Sequence, residues 1–248
     1  MKKAHSPHDR SSDYDQLRRA YSSAVIKKIA TSCQRKQRFL DVGTGTGILA
    51  LELLKHFDRG VGVDTNNERI KYAREQRRKL KLTGSIRFQI CGAESLPFAD
   101  RAFDLVTVAQ AFHWFDHARA LKEFYRVLRP GGTLAILWKY PDPTSKPRRL
   151  AKACIPDLRT RDMKDQLLRT CPPELFEKHG FQSPVFFQSS VAFRYSLKDW
   201  AALIAWSAEK SEALENQYID TLRKAARGKF RAGVWEHFDH FLFISKKQ

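Results

Sequence analysis

Arg38-Phe39-Leu40-Asp41-Val42-Gly43-Thr44-Gly45-Thr46-Gly47 is the stretch that decides the fold. The apolar pair Phe39 and Leu40 leads into Asp41 and Val42, and three glycines then follow at alternate positions. A helical pattern, Ile48 to His56, begins at once. The spacing predicts a strand, a tight glycine turn and a helix start. Glycine accepts positive φ and lacks the Cβ that would hold a ligand off the backbone. The helix start adds free N–H groups and the positive end of a helix dipole, both suited to an anionic group.

Two ligand classes use such a turn. Dinucleotide sites follow G-x-G-x-x-G, with a pyrophosphate over the helix. Here the third glycine comes one residue early at Gly47, position 48 is Ile, and an acid, Asp41, precedes the turn. The order D-x-G-x-G-x-G instead resembles the first motif of class I S-adenosylmethionine-dependent methyltransferases. That resemblance implies that Asp41, Gly43, Thr44, Gly45 and Gly47 wrap the amino-acid end of S-adenosyl-L-methionine, with Asp41 near its ammonium group. A glycine turn that binds nothing is the other reading of these residues taken alone.

Three later segments keep the same frame. Gly60-Val61-Gly62-Val63-Asp64 reads as a second buried strand ending in a carboxylate, 21 residues after Gly43. Asp64 is placed to accept both ribose hydroxyls, a role shared by methyltransferases and NAD enzymes; Asn66 is free to cap the next helix. Cys91-Gly92-Ala93-Glu94-Ser95-Leu96-Pro97-Phe98 resembles the adenine-side turn of methyltransferases related to ubiquinone biosynthesis, with Ala93 and Glu94 at the matching positions. Phe103-Asp104-Leu105-Val106 and Glu123-Phe124-Tyr125-Arg126-Val127-Leu128-Arg129-Pro130-Gly131-Gly132 resemble that family's fourth strand and its helix-to-strand corner. The corner is expected to be structural, with Pro and Gly ending the helix.

Gln110-Ala111-Phe112-His113-Trp114-Phe115-Asp116 follows the fourth strand, where open α/β sheets bind ligands. It resembles the His-Trp-Phe element of a subgroup that includes trans-aconitate-type carboxyl methyltransferases. The resemblance puts Gln110 beside the cofactor, and His113 and Trp114 toward the transferred methyl as catalytic candidates. A histidine there acts as a base or holds an acceptor oxygen; on the residues alone, a helix cap and a packing Trp remain open. Tyr14, Arg18 and Tyr21 match a flap over the cofactor in the same subgroup, although Arg19 replaces the expected proline. Trp206-Ser207 matches a pair in its cover and reads as packing or as pocket lining. After the fourth strand, Ala109-Gln110-Ala111-Phe112 stands where amino-group methyltransferases of bases or glutamine carry an Asn-Pro-Pro-Tyr-like tetrapeptide.

The rest of the chain sets the architecture. Helical periodicity covers Asp13 to Thr31, Glu68 to Leu82, His117 to Val127 and much of Leu197 to Leu222. Strands are expected at Ser85 to Cys91, Phe103 to Ala109, Thr133 to Trp138, Val185 to Tyr195 and His237 to Ser245. Alternating strands and helices predict an α/β, doubly wound, mostly parallel sheet; the resemblance adds seven strands, the last antiparallel. The expected units are an N-terminal helical flap (1–35), a cofactor-binding core (36–140), an inserted helical cover (141–184) marked by six prolines between 141 and 180, and C-terminal strands and helix completing the sheet and acceptor pocket (185–248).

The 248 residues carry 45 Lys+Arg against 27 Asp+Glu, a net charge of +18 that favours anionic partners. Basic residues cluster at Lys71–Lys81 and Lys146–Lys152, and no RNA-binding signature, zinc finger or arginine-rich tail accompanies them. No apolar run is long enough to span a membrane, the opening residues lack a signal-type core, and four scattered cysteines form no C-x-x-C pair or metal site, so cytoplasm is the expected location. The resemblance implies a methyltransferase moving a methyl from S-adenosyl-L-methionine to O or C of a small, anionic acceptor. RNA or protein methylation, cofactor binding without catalysis, and an NAD dehydrogenase are the rival readings.

Overall fold

The glycine stretch sits at the middle of a seven-stranded sheet. The structure, a computed structural model, describes residues 20–158, 163–208, 212–230 and 232–248. The strands are β1 (Arg38–Val42), β2 (Arg59–Asp64), β3 (Ser85–Ile90), β4 (Phe103–Ala109), β5 (Leu128–Pro141), β6 (Val185–Tyr195) and β7 (Val234–Lys246). Their spatial order is β3-β2-β1-β4-β5-β7-β6. The first five run parallel, and β7 lies antiparallel between β5 and β6. This is the expected mostly parallel α/β sheet, with the last strand reversed.

The helices are α1 (Ser23–Ser32), α2 (Ile48–Leu53), α3 (Asn67–Lys79), α4 (His117–Val127), α5 (Lys146–Cys154), α6 (Lys164–Thr170), α7 (Pro173–Glu177), α8 (Leu197–Ser207) and α9 (Glu212–Ala226). Their starts follow local chemistry. Ser22, Asn66, Asp116, Ser145 and Ser196 each accept a hydrogen bond from a backbone N–H three residues on, the usual helix cap. Parallel strands are covered on both faces. Leu40, Val42, Val106, Ile136 and Trp138 pack on one face with Phe124 of α4. Phe39, Leu105 and Leu137 pack on the other with α1 and α2.

Three expectations change. Among the described residues the first helix begins at Ser23, capped by Ser22, so residues 20–22 break the expected run; residues 13–19 lie outside the described residues. Pro130-Gly131-Gly132 does not precede a strand but lies inside β5: Gly131 N–H donates to Lys247 O, and Lys247 N–H donates to Gly132 O, so pairing with the end of β7 draws the turn into the ladder. The cost appears as a register shift, with Leu128 opposite Phe103 and Thr133 opposite Leu105. The terminal strand spans Val234–Lys246, longer than His237–Ser245, since both its neighbours pair along it. The largely helical stretch Leu197 to Leu222 falls in α8 and α9, as expected.

Segment 141–184 divides between two clusters. Ala151 and Ile155 of α5 pack with Trp200, Ile204 and Leu222 in a cap formed by α5, α8 and α9. Leu167, Cys171, Phe176 and Phe181 pack instead against the sheet.

Candidate active site

The glycine loop is held by a small polar network beneath it. Asp41 is 1% exposed, and its two carboxylate oxygens accept from the hydroxyls of Thr44 and Thr107, each at 2.6 Å. Thr107 stands opposite Asp41 in the β1–β4 register. Burial pushes the Asp41 carboxyl up to about 6; the two hydroxyl bonds offset part of that, and Asp64 adds to it. Thr44 N–H donates to Val63 O at 2.9 Å, which ties the loop to β2.

The three glycines all have positive φ but serve different ends. A Cβ on Gly43 would lie 2.4 Å from Ala111 Cβ, and one on Gly47 would lie 2.9 Å from Phe88 Cζ. These two permit close packing of the loop on the β4 end and on β3. A Cβ on Gly45 would meet nothing within 4 Å. Gly45 therefore faces open space, at the point between β1 and β4 where the strand order reverses and doubly wound sheets bind ligands.

Asp64 ends β2 beside that space. Its Oδ2 accepts from Gly45 N–H at 2.8 Å and its Oδ1 from Asn66 N–H at 2.9 Å. The carboxylate is thus aimed by backbone, and half of its roughly four lone-pair sites stay available for ligand hydroxyls. Asn66, not Asp64, caps α3 by accepting from Arg69 N–H.

The third loop is pinned to α4. Glu94 Oε1 accepts from Asp116 N–H at 3.0 Å, and Glu123 Oε2 accepts from Leu96 N–H at 2.7 Å. Arg126 donates to Leu96 O and Phe98 O while pairing with Glu123 and Asp100. Ala93 is buried beneath the turn. The Glu-x-x-Arg of the corner therefore acts as a clamp on the neighbouring loop. Asp104 has a similar structural part: it accepts from Gln37 N–H, Arg38 N–H and Arg129.

At the end of β4, Gln110 adopts φ +59, a left-handed conformation that costs a non-glycine residue about 1–2 kcal/mol. Two bonds to β5 hold it: Gln110 N–H donates to Leu137 O, and its side-chain Nε2 donates to Lys139 O at 2.6 Å. The kink lifts Phe112–Trp114 into a short 3₁₀ turn. Trp138 Nε1 donates to His113 Nδ1 at 3.4 Å, while the rest of the His113 ring is exposed. Withdrawal of that edge from water, and then the nearby His117, lower the proton affinity of His113. Trp114 is 70% exposed, so it is not a core residue; its ring lies 4.9 Å from that of His113.

Tyr21 lies ahead of α1, its ring 5.8 Å from His240, with Lys139 Nζ 5.3 Å from its centroid. Tyr14 and Arg18 lie outside the described residues. Trp206 is 38% exposed at the end of α8. The site thus brings together Asp41, Thr44, Gly45 and Asp64 through direct hydrogen bonds, and Gly43 with the Gln110–Trp114 turn through Ala111. Sequence reasoning missed Thr107, Trp138 and the Glu123–Arg126 clamp. A lone Thr in the apolar run Phe103-Asp104-Leu105-Val106-Thr107-Val108-Ala109, on the strand next to Asp41, was the readable signal for the first.

A methyltransferase-domain family matches residues 40–136, from the glycine strand through β5. These residues are a class I, S-adenosylmethionine-dependent methyltransferase domain. A ubiquinone/menaquinone biosynthesis C-methyltransferase from Geotalea daltonii is 36% identical to the chain over 123 residues, 48% of this chain and 52% of the relative. The chain spans about half the length of that relative. Among solved structures, the YcgJ protein of Bacillus subtilis superposes with a TM-score of 0.55 at 22% identity, covering 92% of this chain and 99% of its own. The [4+2]-cyclase SpnF does so with 0.56 at 21% identity, covering 93% and 84%. The methyltransferase domain therefore has a fold also found in a cyclase, and the chemistry must be argued from the site. The residues present suit the family's cofactor: an open glycine cradle at Gly45, an aimed carboxylate at Asp64 and a clamped third loop. Among the described residues there is no cluster of His, Cys, Asp or Glu able to hold a metal, and no helix long and apolar enough to cross a membrane.

Proposed function

We propose that the chain transfers a methyl group from S-adenosyl-L-methionine to an oxygen or carbon of a small anionic acceptor. The observation that carries this reading is the convergence of Gly45, Asp64 and the His113–Trp114 turn around the switch point of the sheet. Bound S-adenosyl-L-methionine supplies an already activated methyl on sulfur, so the protein's part is alignment and exclusion of water. In this reading Gly43, Thr44, Gly45 and Gly47 form the cradle for the amino-acid end. Asp64 takes the ribose, and Ala93 and Glu94 flank the adenine. Asp41 sets the loop from beneath, close enough to favour the ammonium group. Gln110 shapes the end of β4, and Tyr14, Arg18 and Tyr21 belong to the flap that closes over the site. The cap of α5, α8 and α9 covers the acceptor side.

His113 is assigned a positioning part. Its Nδ1 accepts from Trp138, which leaves the neutral ring's proton on Nε2. A ring in that tautomer donates to an acceptor oxygen through Nε2 rather than taking a proton there. Trp114 supplies an exposed aromatic wall beside it. Four unpaired cysteines support a reducing, cytoplasmic location.

Calorimetry with S-adenosylhomocysteine tests the cofactor site: Asp64→Asn and Gly45→Val are expected to weaken binding at least 100-fold. Unchanged affinity in both variants sinks the site. Methyl-labelled S-adenosyl-L-methionine, offered with separate metabolite, RNA and protein extracts, tests the acceptor. Label confined to the metabolite arm is expected. The +18 charge favours the second reading, methylation of RNA, and label in that arm would establish it instead.

A further inference from the structure

The amino end of the sheet, away from the methyl-transfer crevice, carries a basic groove. The connection from β3 to β4, residues 91–102, contains no helix, so one face of β2 and β3 is left without a roof. A groove of about 680 Å³ opens there, within the range of small-molecule sites. Its floor is Val61, Phe98 and Phe103, and its polar groups are led by Arg38, Arg59 and Arg87. No carboxylate is among its lining residues.

The sheet register brings the three arginines onto one face. Arg38 is directly opposite Arg59, and Arg87 is opposite Val61, two residues along from Arg59. Strand geometry places the Arg38 and Arg59 backbones about 5 Å apart and Arg87 about 8 Å from Arg59. Like charges facing one another across a strand pair destabilise a sheet. Arg38 sits with its guanidinium carbon 5.3 Å from the centre of the Phe103 ring, which in turn packs edge-on against Phe98. Arg59 and Arg87 are exposed, and among the described residues neither takes part in an ion pair.

We propose that this groove binds a phosphorylated small molecule, its phosphate between Arg38, Arg59 and Arg87 and its apolar portion over Val61 and Phe98. One guanidinium satisfies a carboxylate in a single bidentate pair, whereas three arginines lining one groove can match the charge and tetrahedral oxygens of a phosphate dianion. Arg38 and Arg59 stand at the start of their strands, about 16 Å from the glycine loop by the rise of five strand residues, while the groove runs along β3 to Gln89, opposite Val63. A phosphate held at the arginine end makes the occupant an effector and not the methyl acceptor. This inference stands apart from the identity of that acceptor.

Phenyl phosphate, inorganic phosphate, benzoate and a short single-stranded oligonucleotide, each titrated calorimetrically into the full chain at fixed ionic strength, provide the test. Phenyl phosphate is expected to bind at least 10-fold more tightly than benzoate or inorganic phosphate. Arg59→Gln/Arg87→Gln should weaken it at least 10-fold while S-adenosylhomocysteine binding stays within error and Tm does not fall. Arg59→Lys/Arg87→Lys, which keeps the charge but loses the planar fork, should fall between. Equal binding of benzoate overturns the phosphate, and equal binding of inorganic phosphate overturns the apolar floor. Binding unaffected by the Gln pair, or seen only with the oligonucleotide, overturns the site as a small-molecule site.

Discussion

The carboxylates around the glycine loop and the buried His240 of β7 are handled in opposite ways. On the β1–β2–β4 side, carboxylates meet donors: Asp41 meets two threonine hydroxyls, Asp64 two backbone N–H groups, and Asp104 two N–H groups and an arginine. On the β5–β7 side Glu236 accepts from Trp200, and Lys246 and Lys247 donate to Thr133 and to the Tyr125 and Leu128 carbonyls, but one buried ring has no such partner. His240 is fully buried, and neither ring nitrogen makes a well-formed hydrogen bond among the described residues. Burial, and then Lys139, hold its proton affinity down to about 4, with only slight help from the Ser189 backbone. The first arrangement spends hydrogen bonds to aim groups at a ligand. The second keeps a neutral ring buried beside Tyr21 and Lys139. The proposed cofactor side is thus preorganised through polar geometry, whereas His240 is held by burial.

The largest effect expected from this contrast lies in the glycine loop itself. Gly43→Ala combines left-handed strain with overpacking against Ala111, and should cost about 4 kcal/mol in urea unfolding. Gly45→Ala carries the strain alone and should cost about 1–2 kcal/mol. Equal losses in the two variants would mean that Gly45 does not face open space, and the preorganised cradle would be lost from the comparison.

That loop was also the most legible part of the chain. Its geometry is written in local residue types, since positive φ at Gly43, Gly45 and Gly47 is a property of single positions. Asn66 as a cap and Asp64 at a strand end are equally local. What failed to read through depended on partners far along the chain. Pro130-Gly131-Gly132 looks like a stop until Lys247 supplies hydrogen bonds to its backbone. The division of 141–184 depends on Ala151 and Ile155 meeting Trp200 and Leu222, some 45 to 70 residues later. The partner of His113, Trp138, was read only as the end of a strand, because periodicity says nothing about which rotamer carries an indole N–H across to the next strand.

The next effect tests the packed side. The ordinary histidine value is 6.5, and His240 sits near 4 in the folded chain. The unfolded chain therefore binds the extra proton between those values, and stability is lost as pH falls from about 6.5 toward 4. The group's share is about 3 kcal/mol. His240→Phe should remove that share, giving a flatter dependence of the urea midpoint on pH over this window. An unchanged slope would mean that His240 is hydrated or paired when folded, and the contrast between the two sides would weaken.

Asp41 should act in the opposite direction and by less. Its ordinary value of 3.8 rises to about 6 on folding, so here the folded chain binds the extra proton. Stability is then highest below about 4 and falls as pH rises to 6, by about 2–3 kcal/mol at most. Asp41→Asn keeps the shape and should abolish that fall, while Thr44 and Thr107 reorient their hydroxyls to the amide. The same group should couple to the ligand. In the proposed binding mode a cofactor ammonium above the loop would favour the ionised carboxylate, so S-adenosylhomocysteine should bind more tightly as pH passes from 5 to 7, releasing a proton at the lower end. In Asp41→Asn that pH dependence should shrink. If the variant retains it in full, the proton comes from elsewhere, and Asp41 serves only to fasten the loop from beneath.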